Sequence, residues 1–513
     1  MRASYKGVVV WLVIILLGFH LKAQEKNVLF IIVDDLKPMI NGFDQEQMIT
    51  PNLDALMAKS TSFTNAHCQQ AVCAPSRVSF LTGMRPDYTK VWDLKTKMRD
   101  MVPDILTMPE YFKQQGYETV GMGKVLHGAV KNDVQSWTRP FVEDLDLTYV
   151  DGYGIPANFD YQSPEALALY NEIKEDYPGD PTSDKVWRAV NREFKKRGVR
   201  QSTECIDVPD DAYADGAIAL ESMRQMEELS KGDLPFFMVV GFHKPHLPFV
   251  APKKYWDLYD RNEIQLAEFQ EHAQGSPAYA YHTFGELKNY SDIKGSLNEK
   301  GAVIEAKQRE LIHGYYACVS YVDAQIGKVL GFLKESGLER NTTVVLVGDH
   351  GWHLGDHGLW NKHSNFEQAT RTPLMISDPD YANAQRNDSP VELIDIFPTI
   401  CDLTGVETPG HLPGTSLLPI VSGKTKKVKE AALSQYPRGD RMGYALRNER
   451  YRYIEWHQGT NAQNGNYKEE NLIATELYDY EEDPLEKVSR ANDPEYDQVM
   501  AEMKSYLKSC IEK

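Results

Sequence analysis

Three short segments of the sequence are almost wholly apolar, and they constrain the fold more than any other feature. Asn27–Val33, Phe236–Val240 and Thr342–Val347 contain many β-branched residues and do not alternate between apolar and polar positions. A strand without alternation is buried on both faces, which is typical of a parallel sheet covered by helices. We therefore predict an α/β fold with a large, mixed but mostly parallel sheet that is flanked by helices.

Polar residues follow each of these predicted strands. Asp34-Asp35 follows the first strand, His243 the second and Asp349-His350 the third. In open α/β sheets, binding sites lie at the carboxyl ends of the strands. The three strand ends are therefore expected to share one crevice.

The rest of the chain is predicted to form helices, loops and a smaller second domain. Helical periodicity is found at 53–59 and 310–335, whereas 130–210 lacks a clear period and is predicted to form long loops. Short alternating runs after residue 424 and a helix near 494–511 indicate an α+β domain with an antiparallel sheet. The predicted domains are thus a catalytic domain over 24–424 and a C-terminal domain over 425–513.

The N-terminus has the pattern of an export signal. Arg2 and Lys6 precede an apolar run from Gly7 to Phe19, and the small residue Ala23 suits a cleavage site. The run is shorter than the about 17–25 residues that cross a bilayer, although an uncleaved anchor is the alternative. We expect residues 1–23 to be a signal peptide and the protein to be periplasmic or secreted if the host is a bacterium.

Composition limits the partners of the chain. It has 513 residues and a formal net charge of −18, which argues against nucleic acid and anionic membranes because both require a basic surface. The same charge at first argues against polyanionic substrates. The six cysteines are scattered without metal-like spacing, so if one is chemically committed, at most two disulfides can form.

The most specific motif is Cys73-Ala74-Pro75-Ser76-Arg77, followed by a helix-like run over Val78–Leu81. A cysteine at the start of a helix beside an arginine is expected to have a lowered pKa and to be a nucleophile. Alternatively, such a string occurs by chance in a turn.

The Cys-x-Pro-x-Arg pattern resembles the signature of the sulfatase family, in which this cysteine is oxidised to formylglycine (3-oxoalanine). The resemblance implies an alkaline-phosphatase-like fold and a partner, the formylglycine-generating enzyme, that modifies Cys73. The hydrated aldehyde has two hydroxyls, of which one attacks sulfur and the other expels sulfate from the intermediate. A serine has no such second hydroxyl.

A second segment, Gly116 to Thr119 and Gly123 to His127, also resembles the family. Lys124 and His127 are three residues apart, so they project to one side on a helical turn or tight loop. The resemblance implies that Lys124 holds the formylglycine oxygen, that His127 acts as a base on its second hydroxyl, and that Arg77 belongs to the catalytic set.

A metal site is predicted from the acidic strand ends. Asp34 and Asp35 can face one ion only if the chain leaves strand geometry after Val33. Converging carboxylates repel unless a cation neutralises them, and oxygen ligands favour calcium or magnesium. The resemblance implies one Ca²⁺ that is bound by both aspartates, Asp349, His350 and the modified Cys73. Many sulfatases have Asn where this chain has His350, so the ion contact there is weak or the metal preference differs.

Two further residues resemble the sulfate-binding residues of the family. They are His246, in the segment from Gly241 to Pro248, and Lys362, which follows the segment from Asp349 to Gly358. Either could protonate the leaving oxygen, whereas for His243 sulfate binding and mere orientation of its loop are the two alternatives. The three basic side chains Arg77, Lys124 and Lys362 balance the three aspartates, so a divalent ion makes the predicted site cationic within an acidic chain.

The resemblance covers nearly the whole mature chain and is strongest to the branch that removes the 2-O-sulfate of a terminal uronic acid such as iduronate. It implies a sulfuric ester hydrolase in polysaccharide or glycosaminoglycan degradation, with a sulfated oligosaccharide as substrate. The alternatives are a sulfatase for another polysaccharide such as an algal one, a phosphoesterase or phosphonate hydrolase, and an inactive carbohydrate-binding homologue. Candidates for sugar contact or, equally, core packing are Trp352, His353 and the run Tyr451–Trp456.

Overall fold

A computed structural model describes residues 26–43, 45–127, 133–153, 161–177, 184–381, 384–459 and 467–512. The predicted signal peptide, residues 1–23, lies outside this part of the chain and stays a prediction. None of the helices in the described ranges is both long and apolar enough to cross a membrane. No disulfide joins the six cysteines, all of which lie in described segments.

The strands form one large sheet, one smaller sheet and two short pairs. Their bounds are β1 Asn27–Val33, β2 Thr61–His67, β3 Glu118–Gly123, β4 Thr203–Ile206, β5 Phe236–Phe242, β6 Phe249–Pro252, β7 Thr342–Gly348, β8 His353–Leu354, β9 Trp360–Asn361, β10 Arg371–Ser377, β11 Gln385–Asn387, β12 Val391–Glu392, β13 Ala432–Arg438, β14 Arg441–Arg447, β15 Tyr451–Gln458 and β16 Leu472–Asp479.

The α-helices of the described residues include one long central helix, α10. Their bounds are α1 Pro51–Met57, α2 Cys73–Thr82, α3 Pro86–Thr89, α4 Met98–Met101, α5 Met108–Gln114, α6 Pro164–Glu175, α7 Asp184–Lys196, α8 Ala214–Leu229, α9 Lys253–Trp256, α10 Glu305–Glu335, α11 Glu367–Thr370, α12 Ile396–Thr404, α13 Leu418–Val421 and α14 Asp497–Ile511.

The large sheet confirms the prediction from the three apolar runs. Its order is β11-β2-β10-β7-β1-β5-β3, with β12 also paired to β2. The runs are the neighbouring strands β5, β1 and β7, which are mutually parallel, while β10 is antiparallel to both of its neighbours. Val33 is in register with Phe242 on one side and Gly348 on the other. The three polar strand ends therefore meet at one edge of the sheet.

Both faces of β1 are buried, which explains why its sequence does not alternate. Leu29, Ile31 and Val33 belong to a core that includes α8 and α10. Val28, Phe30 and Ile32 face a second core, to which α2, α5 and α12 contribute. Strands covered on both sides in this way have no polar face.

The prediction of long loops over 130–210 is partly wrong. Residues 164–175 and 184–196 form α6 and α7, and 203–206 forms β4. The buried residues of α6 are Ala166, Leu169, Tyr170 and Ile173, which have the spacing of one helical face. This periodicity is present in the sequence, but the frequent Pro, Gly and Asp residues around it suggested loops.

The C-terminal residues form the predicted α+β unit. Strands β13 to β16 make a four-stranded antiparallel sheet, and α14 packs against it. The sheet contacts the catalytic part of the chain directly, because the backbone N–H of Gln435 donates to Gln69 O at 2.7 Å and Ser434 Oγ donates to Cys68 O at 2.6 Å. The first strand of the C-terminal sheet therefore lies beside the segment that leads to Cys73.

Candidate active site

The site begins where β1 and β7 end. Asp35 has a φ of 58°, so the chain leaves strand geometry there, as the prediction for two neighbouring carboxylates required. The backbone N–H of Asp35 donates to Asp349 Oδ1 at 2.9 Å. Asp34, Asp35 and Asp349 are completely buried. Three carboxylates thus converge in the interior.

Arg77 holds two of these carboxylates in place. From α2 it donates through Nη2 to Asp34 Oδ1 and through Nε to Asp349 Oδ2, each at 2.9 Å, and all three side chains are fully buried. Its remaining nitrogen donates to the carbonyl oxygens of Lys124 and Val125. A planar guanidinium can serve several acceptors in fixed directions, which a lysine cannot.

Cys73 lies at the first position of α2, beside the same cluster. Its Sγ is 3.5 Å from His350 Nε2, 3.9 Å from Asp35 Oδ1 and 4.0 Å from Lys124 Nζ. The expectation of a lowered pKa is wrong. Burial and the carboxylate of Asp34 raise the pKa of Cys73 to about 12, because the charge of Arg77 is directed at aspartates. An unmodified thiol here is a poor nucleophile at neutral pH.

Lys124 reaches the cluster from the end of β3. Its Nζ forms an ion pair with Asp34 Oδ2. Its backbone N–H donates to Gly241 O at 2.9 Å. A side chain at Gly241 would place its Cβ 2.2 Å from the carbonyl of Lys124, so glycine is required for this approach. His127 follows three residues later, and burial and Lys124 lower its pKa to about 3. It is therefore a neutral base at neutral pH.

The predicted metal ligands form a donor set that fits a divalent cation. Ligand atoms of Asp35, Cys73, Asp349 and His350 lie within 4.8 Å of one another, and so do those of Asp34, Asp35, Cys73 and His246. Burial raises the pKa of Asp35 well above its usual range in spite of Lys362, so a cation at this position would be stabilising. Oxygen-rich ligand sets of this kind suit calcium or magnesium.

His350 is oriented as a nitrogen ligand within this set. Its Nδ1 lies 2.9 Å from Gly351 O, which places the proton on Nδ1 and leaves the Nε2 lone pair towards the cluster. Nε2 is 3.3 Å from Asp35 Oδ1 and 3.6 Å from Asp349 Oδ2. A backbone carbonyl that fixes the tautomer in this way is common for metal-binding histidines.

His246 and Lys362 also lie in the site, and Glu286 joins them. Lys362 Nζ donates to both oxygens of Asp35 at 3.0 Å and lies 3.3 Å from Glu286 Oε1. His246 Nε2 is 3.1 Å from the same Glu286 oxygen. Although burial would raise it, Lys362 and His246 hold the pKa of Glu286 well below its usual range. Glu286 is in a region without a motif, so no sequence pattern predicts its place in the site.

His363 and Tyr436 extend the site towards the C-terminal sheet. His363 Nε2 is 3.3 Å from Glu286 Oε2, and its Nδ1 is 2.9 Å from the Tyr436 hydroxyl. Tyr436 comes from β13. The position of His363 directly after Lys362 could have suggested that it belongs to the site. No sequence pattern connects Tyr436 with a residue 73 positions earlier.

The remaining candidates from the sequence have other contacts. The Trp352 ring is 1% exposed and lies under Lys362 Nζ at 4.9 Å, and His353 is buried with Nε2 2.8 Å from Ser364 Oγ. Trp456 is buried and donates to Glu476. These three side chains are buried and packed against neighbouring residues. His243 Nε2 is 3.0 Å from Asp144, which fits loop orientation.

Together these residues are typical of a hydrolase that cleaves anionic esters and is built on an α/β fold. The fold places a buried carboxylate cluster, a modifiable nucleophile position and the cations Lys124 and Lys362 around one small volume at the carboxyl edge of the sheet. Comparison with known proteins specifies the class. The family model Sulfatase matches residues 26–406, and the model N-sulphoglucosamine sulphohydrolase, C-terminal, matches residues 355–513. The chain therefore belongs to the sulfatase family, which comprises sulfuric ester hydrolases.

One curated relative supports this assignment, and two solved structures share the fold. Human iduronate 2-sulfatase is 31% identical, over 95% of this chain and 96% of its own length. Among solved structures, BT4656 in complex with D-glucosamine-2-N,6-O-disulfate has a TM-score of 0.69 at 18% identity, over 94% of this chain and 97% of its own. The phosphonate monoester hydrolase of Agrobacterium radiobacter has a TM-score of 0.68 at 20% identity, over 94% and 95%. The two solved structures and this chain share the alkaline-phosphatase-like fold.

Proposed function

We propose that this protein is an exported, calcium-dependent sulfatase that removes the 2-O-sulfate of a uronic acid at the end of a sulfated saccharide, with formylglycine formed from Cys73 as nucleophile. The observation that carries the proposal is the position of Cys73 among Asp35, Lys124 and His350, at the N-terminus of a helix whose Arg77 orders the carboxylates. The similarity to an iduronate 2-sulfatase over the whole chain supports the choice of sugar.

The modified cysteine and the ion supply what the side chains lack. Formylglycine at position 73 would provide, in its hydrated form, one hydroxyl for attack on sulfur and a second that allows release of sulfate. A calcium ion held by the three aspartates and His350 would withdraw charge from the sulfate oxygens.

The side chains of the protein have the remaining roles, which are charge stabilisation, proton transfer and sulfate binding. Lys124 lies between the nucleophile position and Asp34, so it stabilises negative charge on the attacking oxygen. His127 is neutral at neutral pH and takes a proton from that oxygen or its partner. Lys362 and His246 are assigned to contact with the sulfate, and the low exposure of Cys73, 1%, limits access of water to the point of attack.

His246 is the better acid for the leaving alcohol. Its Nδ1 is 2.6 Å from Leu247 O and its Nε2 is 3.1 Å from Glu286, so both nitrogens face acceptors and Glu286 stabilises a proton on Nε2. Burial, Lys124 and Lys362 oppose this and lower the pKa of His246 to about 4, so His246 is neutral in the free site at neutral pH and has to take up its proton when the anionic substrate binds. Lys362 has a pKa raised well above its usual range by Asp35, against the effect of burial, and releases a proton less readily.

A panel of defined substrates tests the proposal. Protein from its native host should release sulfate from a saccharide with a terminal 2-O-sulfated uronic acid, and a chelator should abolish this activity. The peptide around Cys73 should have the mass of formylglycine rather than cysteine. An unmodified thiol would contradict the mechanism. Faster cleavage of nitrophenyl phosphate or a phosphonate ester than of nitrophenyl sulfate would favour the phosphonate hydrolases of the same fold.

A further inference from the structure

A half-buried arginine at the end of β13, Arg438, has no carboxylate partner among the described residues. Arg438 donates through Nη2 to His363 O, and its guanidinium lies 4.5 Å from the centre of the Tyr436 ring. Its Nε–H is buried and has no acceptor in the described part of the chain. Burial lowers the pKa of Arg438. A charged N–H donor that is shielded from water is normally paired, so the Nε–H side of this guanidinium is expected to meet an anion that is not part of the protein.

His282 provides a second donor without an acceptor. Its Nδ1 accepts the backbone N–H of Phe284 at 2.9 Å, which places the ring proton on Nε2. This Nε2 is buried and unpartnered within the described residues. The ring is 5.6 Å from that of His363. Burial, His363 and Arg438 lower the pKa of His282 to about 2, although the nearby Lys362 backbone acts in the opposite direction, so the charge of Arg438 acts on this ring. Both unpartnered donors therefore surround His363.

His363 connects this pair of donors to the reacting group. Its backbone N–H donates to Ala71 O, two residues before Cys73, at 3.2 Å, and it directly follows Lys362. Sulfate held by Lys362 and His246 places the sugar that carries it next to His363. The donors thus lie where a substituent of that sugar, and not the sulfate itself, is expected.

The neighbouring carboxylate of Glu286 does not neutralise the positive charge of Arg438. Glu286 is 3.3 Å from His363 Nε2, but its oxygens are already shared with Lys362 and His246. Arg438 has no such partner in the described ranges, so one positive charge remains on this side of the site. A carboxylate fits because a guanidinium donates to its oxygens with favourable geometry and charge.

We infer that Arg438, assisted by His282 Nε2–H, binds the carboxylate of the uronic acid whose sulfate is cleaved. This inference deepens the proposed function and rests on it. It assigns selection of acidic over neutral sugars to the first strand of the C-terminal sheet, outside the residues that act on sulfur.

Three substrates and two variants test the inference. The substrates are a terminal 2-O-sulfated uronic acid, the same sugar with its carboxyl group reduced to an alcohol, and nitrophenyl sulfate. In the wild type, kcat/KM should be at least about tenfold higher for the uronic acid than for the reduced sugar, as expected for a charged hydrogen bond. In Arg438→Gln this preference should disappear, while activity on nitrophenyl sulfate is retained.

Arg450→Gln is the matched control, because Arg450 lies in the turn between β14 and β15, at the other end of the same sheet, and is paired with Asp479. It should keep the wild-type preference. Equal losses of Arg438→Gln on all three substrates would show a structural role and overturn the inference. A wild type that cleaves neutral and acidic sugars equally well would also overturn it, even if Arg438→Gln fails to fold. A wild type inactive on every sulfate ester would instead contradict the proposed function.

Discussion

Arg77 shows how much of the site depends on one residue. It contacts Asp34 and Asp349 at 2.9 Å with all three side chains fully buried. Lysine at this position keeps the charge but reaches only one carboxylate and leaves the other unpaired in the interior. Arg77→Lys should lower the free energy of unfolding by about 3–5 kcal/mol, the usual effect of breaking a buried ion pair, and should abolish turnover. Chemical denaturation and sulfate release measure the two effects.

The control for this substitution is Arg224→Lys on α8. Arg224 is half exposed and pairs with Glu221 and Glu228 on the helix surface. Exposed pairs contribute little, so the free energy of unfolding should change by less than about 0.5 kcal/mol. If both variants lost equal stability, the carboxylate cluster would not depend on Arg77.

His246 gives a prediction on the leaving group. If His246 protonates the leaving oxygen, His246→Gln should reduce kcat strongly for a sugar sulfate, whose alkoxide is a poor leaving group. The reduction should be smaller for nitrophenyl sulfate, because nitrophenolate leaves without a proton. General acid catalysis is worth about 10²–10⁴-fold. Equal reductions on both substrates would assign His246 to sulfate binding alone.

For single residues, the sequence predicts which residues belong to the site better than it predicts what surrounds each of them. Asp34, Asp35 and Asp349 could be predicted because each follows a recognisable strand. The lowered pKa of Cys73 could not, because proximity of Arg77 in sequence does not show that its guanidinium points at two aspartates. Glu286 comes from an irregular segment, and nothing local distinguishes it from a surface acid.

At the scale of elements, the ends of β3 and β5 must approach closely to position Lys124. Gly123 and Gly241 are in register on these parallel strands. In Gly241→Ala the new Cβ would meet the Lys124 carbonyl at 2.2 Å and Val125 N at 2.7 Å, so the segment that holds Lys124 has to move. We expect a loss of stability of about 1–3 kcal/mol, typical of overpacking, and a much larger loss of kcat/KM.

Gly331→Ala in α10 is the matched control. A Cβ at Gly331 would meet no atom within 4 Å, and alanine favours helix over glycine by about 0.5–1 kcal/mol. Stability should be unchanged or slightly higher, with normal activity. A Gly241→Ala variant with wild-type kinetics would show that the position of Lys124 is not critical.

Elements buried on both faces are the ones that the sequence predicts most accurately. The first residue of β1, β5 and β7 agrees with that of the corresponding predicted run, because a central strand needs apolar residues at every position. Helices α6 and α7 were missed because they lie at the edge of the core, where half of their residues are polar. The neighbouring Pro, Gly and Asp residues therefore determined the interpretation of that region.

At the scale of the whole molecule, the site is assembled from both parts of the chain. Tyr436 and Arg438 of β13 contact His363, so the C-terminal sheet forms one wall of the substrate region. The sequence predicts the two parts separately but not this junction, because the contacts join residues about 75 positions apart in the chain. The net charge of −18 is likewise a property of the whole molecule, and it affects which substrates can approach the site.

The charge distribution leads to a prediction about chain ends. The basic groups at the site are buried beside carboxylates. Because Glu286 adds one negative charge, the net positive charge of the site is one unit smaller than the sequence predicts. A strongly acidic surface repels an extended polyanion, and Cys73 is only 1% exposed, so one terminal sugar should enter the site. At equal polysaccharide mass, the initial rate of sulfate release should increase in proportion to the number of chain ends after partial depolymerisation. A rate that depends on mass alone would indicate internal cleavage of sulfate esters and contradict terminal action.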